Sequence, residues 1–190
     1  LHNHPERKLL LGLVTAFVFV LSALKMPSVT GSSSHASGVG VAAILCGPWV
    51  AVVLAGIVLL FQALLLAHGG LTTWGANTFS MGVAGGLTAY LVFRGVRAAG
   101  MSEKVAVFLA AALGDLATYM VTAGQLSVAF PDPVGGIAAS FLKFAGVFAL
   151  TQIPLAVGEG LLSVVVYNTL LRYNEQGLIH IWWKGEEHKA

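Results

Sequence analysis

The stretch GVGVAAILCGPWVAVVLAGIVLLFQALLLA, residues 38–67, decides the fold because its 30 residues include no charged side chain. A helix needs roughly 17 to 25 apolar residues to cross a bilayer, so this stretch is too long for one span and short for two. Gly47-Pro48 interrupts it, and proline starts or breaks a helix. The pattern predicts a short helix over 38–46 and a full span over 49–67.

The composition of the whole chain is that of an integral membrane protein. Hydrophobic residues make up 57% of it and charged residues only 9%, and its mean hydropathy is +0.84. A soluble domain carries about 25% charged residues, so this chain could not cover its own surface in water. The net charge of +2, without basic clusters among aromatics, excludes a nucleic-acid partner. The single cysteine, Cys46, excludes an internal disulfide and a thiolate metal cluster.

Outward from this stretch, further apolar runs predict spans over about 9–24, 76–93, 104–129 and 136–172, the last one long or kinked at Pro154. Polar loops over 27–37 and 68–75, and the break Pro131-Asp132-Pro133, separate them. We predict one all-α membrane domain over 1–190, a bundle of about six transmembrane helices in this sequence.

The basic residues predict how the chain crosses the membrane, since Lys and Arg collect in cytoplasmic loops. Eight of the ten fall before the first span, between the spans 76–93 and 104–129, and after the last: Arg7, Lys8, Arg94, Arg97, Lys104, Arg172, Lys184 and Lys189. All three groups become cytoplasmic if 38–67 enters and leaves on the same side. The tail 173–190 is then cytoplasmic, and the loops 27–37 and 68–75 face outside.

His35 is the candidate metal ligand. It ends the run Ser28-Val29-Thr30-Gly31-Ser32-Ser33-Ser34-His35, in which glycine and serines let the backbone bend and hydroxyls can support a ring. Neutral imidazole is the side chain that most often binds nickel and cobalt, so uptake should fall below about pH 6.5. From the residues alone, His35 is either a ligand or a surface group.

Two residues of the next outer loop are candidate supports for such a ligand. His68 precedes two glycines, so it either closes the helix before it or joins His35. Asn77 either caps the following helix or orients a ligand.

Asp115 and Glu159 lie inside predicted spans, where carboxylates are costly and indicate function. Structural pairing and a proton or ion relay both remain open.

The motifs that would indicate an enzyme are absent. No Gly-x-Ser-x-Gly elbow accompanies the serines at 32–34, so a membrane hydrolase would depend on one of these loop serines. No His-Glu-x-x-His helix and no phosphate-binding loop are present. The chain is therefore predicted not to be an enzyme and not to hydrolyse ATP itself.

Five runs of sequence resemble the CbiM/NikM family, the substrate-binding membrane subunits of energy-coupling-factor (ECF) transporters for cobalt and nickel. They are KLLLGLVTAFVFVLSALKMPSVTGSSSH (8–35), IVLLFQALLLAHGGLTTWGANTFSM (57–81), GDLATY (114–119), TQIPLA (151–156) and EGLL (159–162). The resemblance covers residues 8–173.

The resemblance implies an ATP-driven importer of Co²⁺ or Ni²⁺ in the bacterial inner membrane, with cobalt for cobalamin synthesis slightly favoured. Its implied partners are a transmembrane coupling subunit, ATP-binding subunits and a small accessory membrane subunit. A proton-coupled secondary metal transporter that uses Asp115 and Glu159 is the alternative.

The family's metal site is implied to be square-planar and rich in nitrogen, and His35 matches its loop histidine. The other nitrogens come from a Met-His start and its amino group, followed by a first helix. Both precede the segment that begins at Lys8, and this sequence shows neither, so we expect a preceding segment and seven helices in all. Ala36 replaces the family's usual proline. Ser32, Ser33, Ser34, His68 and Asn77 are the expected supporting residues.

Overall fold

The structure is a computed structural model, and it describes residues 5–27, 33–179 and 181. It contains six helices, which confirms the predicted all-helical fold class: α1 Pro5–Ala23, α2 Val39–Cys46, α3 Pro48–Leu65, α4 Trp74–Ala98, α5 Glu103–Ala129 and α6 Gly136–Glu175. A two-residue ribbon, which the sequence did not predict, pairs β1 Met26–Pro27 antiparallel with β2 Ser33–Ser34.

Four helices of the described chain, α3 to α6, are long and apolar enough to cross a membrane. Their outward side chains are apolar: on α6, Leu142, Leu150 and Leu161 are 71%, 73% and 61% exposed. A surface of this kind would be unfavourable in water, whereas in a bilayer it contacts acyl chains.

The break at Gly47-Pro48 separates α2 from α3 as predicted. Gly47 has φ of 86°, a conformation that glycine adopts readily, and Pro48 occupies the first position of α3. All eight residues of α2 are buried. At about 12 Å, α2 is too short to cross a bilayer alone. A side chain on Gly40 would lie 2.8 Å from Ala111 Cα, so α2 packs against the backbone of α5.

The fourth helix extends beyond the predicted 76–93 at both ends. Its section Thr78–Gly85 is π-helical, and Gly82 packs there against α3, where a Cβ would lie 3.1 Å from Val52 Cα. The last turn holds Arg97, where a cation is favourable, and its Nη1 donates to Met101 O at 3.0 Å.

The long helix α6 runs unbroken through Pro154. Before it, the Asp132 carboxylate accepts from the backbone N–H groups of Val134 at 3.0 Å and Gly135 at 2.8 Å, and it pairs with Lys143. These bonds lower the pKa of Asp132. Lys143 is therefore an exposed cation of this turn.

Candidate metal site

His35 lies in the segment between β2 and α2 and is 9% exposed. Its ring meets the ring of His68 edge to face, with centroids 5.0 Å apart and planes at 70°. The backbone N–H of His68 donates to Gln62 O at 3.3 Å, beyond the end of α3. The backbone of His68 thus bonds to the end of α3 while its ring contacts the ring of His35.

The hydrogen bonding of His35 assigns its tautomer. Its Nδ1 lies 3.1 Å from the carbonyl oxygen of Ala36. A carbonyl can only accept, so Nδ1 carries the proton and Nε2 keeps its lone pair. A histidine held in this way offers Nε2 to a metal ion.

Tyr119 of α5 holds the backbone of His35. Its hydroxyl accepts from His35 N–H at 3.0 Å and donates to His35 C=O at 3.1 Å. The two rings are 6.2 Å apart, and Tyr119 packs edge to face on Phe148 of α6. Both backbone groups of a buried loop residue are therefore satisfied by one side chain of a membrane helix.

The serines before His35 make different contacts. Ser34 is buried, and its Oγ lies 2.7 Å from Thr151 Oγ1 of α6. Ser33 Oγ lies 3.5 Å from His68 Nδ1, at the outer limit of a hydrogen bond. Ser32, the third predicted supporting serine, lies outside the described residues.

Asn77 has its side-chain contacts with neighbours of the histidines. Its Nδ2 donates to Thr73 Oγ1 at 3.4 Å, and it lies against Gly69, the residue after His68. Thr73, and not Asn77, occupies the position before α4. Among the described residues, Asn77 thus reaches the site only through the backbone that follows His68.

Glu159 of α6 accepts hydrogen bonds from Ser37 and Gly38, which follow His35 by two and three residues. Its Oε2 accepts from Ser37 N–H at 2.6 Å, and its Oε1 accepts from Ser37 Oγ at 3.0 Å and from Gly38 N–H at 2.8 Å. Glu159 is 2% exposed. This carboxylate therefore connects α6 to the start of α2.

Asp115 of α5 is fully buried beside Glu159 and Ser37. Within the described chain, neither of its carboxyl oxygens has a hydrogen-bond partner of acceptable geometry. Glu159 and the Ser37–Gly38 segment are the neighbours of Asp115 at this point. The structure thus brings together Asp115 and Glu159, which the sequence placed on separate helices.

Burial favours the neutral form of both imidazoles. It lowers the pKa of His35 to about 4, an effect that the Ala36 carbonyl opposes and the neighbouring His68 reinforces. Burial, and then the positive charge of Lys25, lowers the pKa of His68. Neutral imidazoles are the form that binds a metal. Within the described chain, no group of three or more His, Cys, Asp or Glu side chains could hold an ion.

Two contacts of His35 and its neighbours were missed in the sequence, although their residues lie in the runs quoted above. Tyr119 follows Asp115 by four residues, which puts the two on one face of α5. Thr151 precedes Glu159 by eight residues on α6. In both cases, the signal that could have predicted the contact was a polar residue at helical spacing from a carboxylate inside a predicted span.

Comparison with known proteins decides the family. The family described as "CbiM: Cobalt uptake substrate-specific transmembrane region" matches residues 1–176. The chain belongs to the CbiM family. Among its relatives, Cobalt transport protein CbiM 1 of Pelobacter propionicus is 62% identical over 192 residues, covering 100% of this chain and 85% of that protein. Cobalt transport protein CbiM of Anoxybacillus flavithermus is 58% identical, over 97% of this chain and 74% of that protein.

A solved structure shares the fold of this family member. The crystal structure of a truncated transition metal transporter superposes with a TM-score of 0.75 at 23% identity, covering 87% of this chain and 81% of that one. The chain is thus a multi-pass membrane protein of a family whose members are named for transport and not for catalysis.

Proposed function

We propose that this chain is the substrate-binding membrane subunit of a cobalt importer, in which His35 is a metal ligand. One observation carries the site assignment: His35 is buried against His68, with its Nδ1 bonded to Ala36 and its backbone held by Tyr119. A histidine fixed at three places, with a free Nε2, is pre-organised for an ion. A surface histidine would have no need of these contacts.

The proposed substrate is Co²⁺, which the family description and the names of the relatives favour over Ni²⁺. Nitrogen donors without thiolate suit both ions. His68 is the second donor within reach, and Ser33 supports it. His35 and His68 would then supply part of the coordination sphere of the ion.

The proposed importer is of the energy-coupling-factor type. A transmembrane coupling subunit and ATP-binding subunits supply the energy, and a small accessory membrane subunit completes the complex. The cobalt site faces outside, since α4 spans roughly 37 Å and separates the His68 loop from Arg94 and Arg97. The C-terminal tail is cytoplasmic in this arrangement.

Uptake of radioactive cobalt tests the proposal. The full-length protein is expressed with or without its coupling and ATP-binding partners in cells that lack their own cobalt uptake. We expect ATP-dependent accumulation only with the partners, and its loss in His35→Ala. Accumulation that is equal in His35→Ala and wild type would contradict the proposed ligand.

A second function, proton-coupled metal transport, is favoured by one observation: Asp115 and Glu159 are buried side by side within the membrane helices. The purified full-length protein alone, in liposomes with a proton gradient, discriminates the two. Metal accumulation there, lost in Asp115→Asn, would replace the partner-driven function by this one.

A further inference from the structure

The carboxylate of Glu159 is placed to fix the segment that carries His35. Three donors converge on it from Ser37 and Gly38, all between 2.6 and 3.0 Å. Both of its oxygens accept, and hydrogen bonds to an ionised group are among the strongest in proteins. His35 is two residues away along the chain, with only Ala36 between it and Ser37.

The start of α2 depends on this carboxylate. Gly38, the residue before α2, has φ of 67° and supplies no capping side chain to the helix. The Ser37 and Gly38 N–H groups would be unpaired and buried without Glu159, which is costly. Gly38 is also confined on its other side, because a Cβ there would lie 3.0 Å from Val18 Cα of α1. The segment after His35 is therefore fixed between α1 and α6.

A second contact joins the same helix to the other side of His35. Thr151 Oγ1 lies 2.7 Å from Ser34 Oγ, so α6 contacts the residues directly before and shortly after the histidine. Pro154 lies between Thr151 and Glu159 on α6. Proline lacks the N–H that would bond the carbonyl of residue 150, which leaves α6 easier to bend between these two contacts.

We propose that Glu159 is a positioning residue for the metal site: by holding Ser37 and Gly38 it fixes the backbone of His35 relative to α6. It does not itself touch the ion. The inference rests on the proposed function, since it takes His35 as the ligand. It also links the metal site to α6, because a displacement of Glu159 away from Ser37 would release the segment that presents His35.

Glu159→Gln tests this role, because it keeps the shape of the side chain. Its amide oxygen can replace one carboxylate oxygen, while its NH₂ faces a donor that it cannot bond. Cobalt binding is measured on the full-length protein by calorimetry, and the ligand geometry by the visible absorption of bound Co²⁺. We expect an affinity 10- to 100-fold lower than wild type and shifted absorption bands.

Ser163→Ala is the matched control. Ser163 is buried on the same helix, about one turn beyond Glu159, and its hydroxyl has no partner within the described chain. We expect wild-type affinity and spectrum. Apparent melting temperatures of both variants separate a general loss of stability from a change at the site.

The outcomes distinguish this inference from the proposed function. Wild-type affinity and spectrum in Glu159→Gln, with loss of binding in His35→Ala, would overturn the positioning role alone. No cobalt binding by wild type would overturn both. If Glu159→Gln does not fold, Ser37→Ala decides, since it removes the hydroxyl bonds to Oε1 at 3.0 Å and Oε2 at 3.4 Å and keeps both backbone N–H bonds. A smaller loss of affinity with shifted bands supports the inference, and an unchanged site overturns it.

Discussion

The hydroxyl of Tyr119 bonds both backbone groups of His35, accepting from its N–H at 3.0 Å and donating to its C=O at 3.1 Å. A side chain of α5 thereby pairs with both the N–H and the C=O of a loop residue, as the backbone of a neighbouring strand does in a β-sheet. The ring of His35 remains free to contact His68 and to offer Nε2. The position of the candidate ligand thus depends on a helix that is 84 residues away in sequence.

Tyr119→Phe should weaken metal binding without removing any ligand. The change leaves a buried N–H and a buried C=O of His35 without partners, at about 1–3 kcal/mol for each. We expect cobalt affinity to fall about 10- to 100-fold, because such supporting contacts orient a ligand. Calorimetry on the full-length protein measures it.

Tyr173→Phe is the control for that change, since Tyr173 is 41% exposed near the end of α6. It should leave affinity and melting temperature at wild-type values. An unchanged affinity in Tyr119→Phe would mean that His35 keeps its position without the hydroxyl.

Cobalt binding should be lost at a lower pH than the pKa of an ordinary histidine would predict. The usual pKa near 6.5 led us to expect loss below that pH, whereas burial lowers the pKa of His35 to about 4. His35 therefore stays neutral at pH 5. We expect cobalt affinity at pH 5 to be within about tenfold of that at pH 7, as far as His35 governs it. A steep fall that begins at pH 6.5 would show that an ordinary histidine controls binding.

The same pKa difference predicts how stability changes with pH. Between about pH 6.5 and 4 the unfolded chain binds a proton that the folded His35 does not. The stability conferred by neutral His35 is complete above pH 6.5 and is lost as the pH falls towards 4, by about 3 kcal/mol in all. His35→Gln should flatten this part of the profile of melting temperature against pH. An equally steep profile in the variant would assign the effect to other groups.

Much of the fold could be predicted from the sequence, because hydropathy and proline positions are local signals. The break at Gly47-Pro48 and the helix over Glu103–Ala129 follow from them directly. The contact of Tyr119 with His35 could not be predicted, since it depends on how α5 is rotated towards a loop. The bonds from Glu159 to Ser37 were missed for the same reason. Hydropathy places a carboxylate inside a helix but does not give its partner.

Cysteine labelling tests the predicted orientation of the chain in the membrane. Cys46 is buried, and Cys46→Ala provides a background for single cysteines at exposed loop positions. Leu71→Cys, between α3 and α4, should react with an impermeant maleimide in intact cells. Met101→Cys, between α4 and α5, should react only after the membrane is opened, because Arg94 and Arg97 mark the cytoplasmic side. Labelling of both positions from the same side would contradict the orientation.

The most direct test of the central claim is the cobalt affinity of His35→Ala, compared with wild type by calorimetry on the full-length protein. Loss of a ligand should cost more than the 10- to 100-fold expected of a supporting residue, so we predict no measurable binding in His35→Ala and weakened binding in His68→Ala. Equal affinity of His35→Ala and wild type would show that this buried histidine is not a ligand.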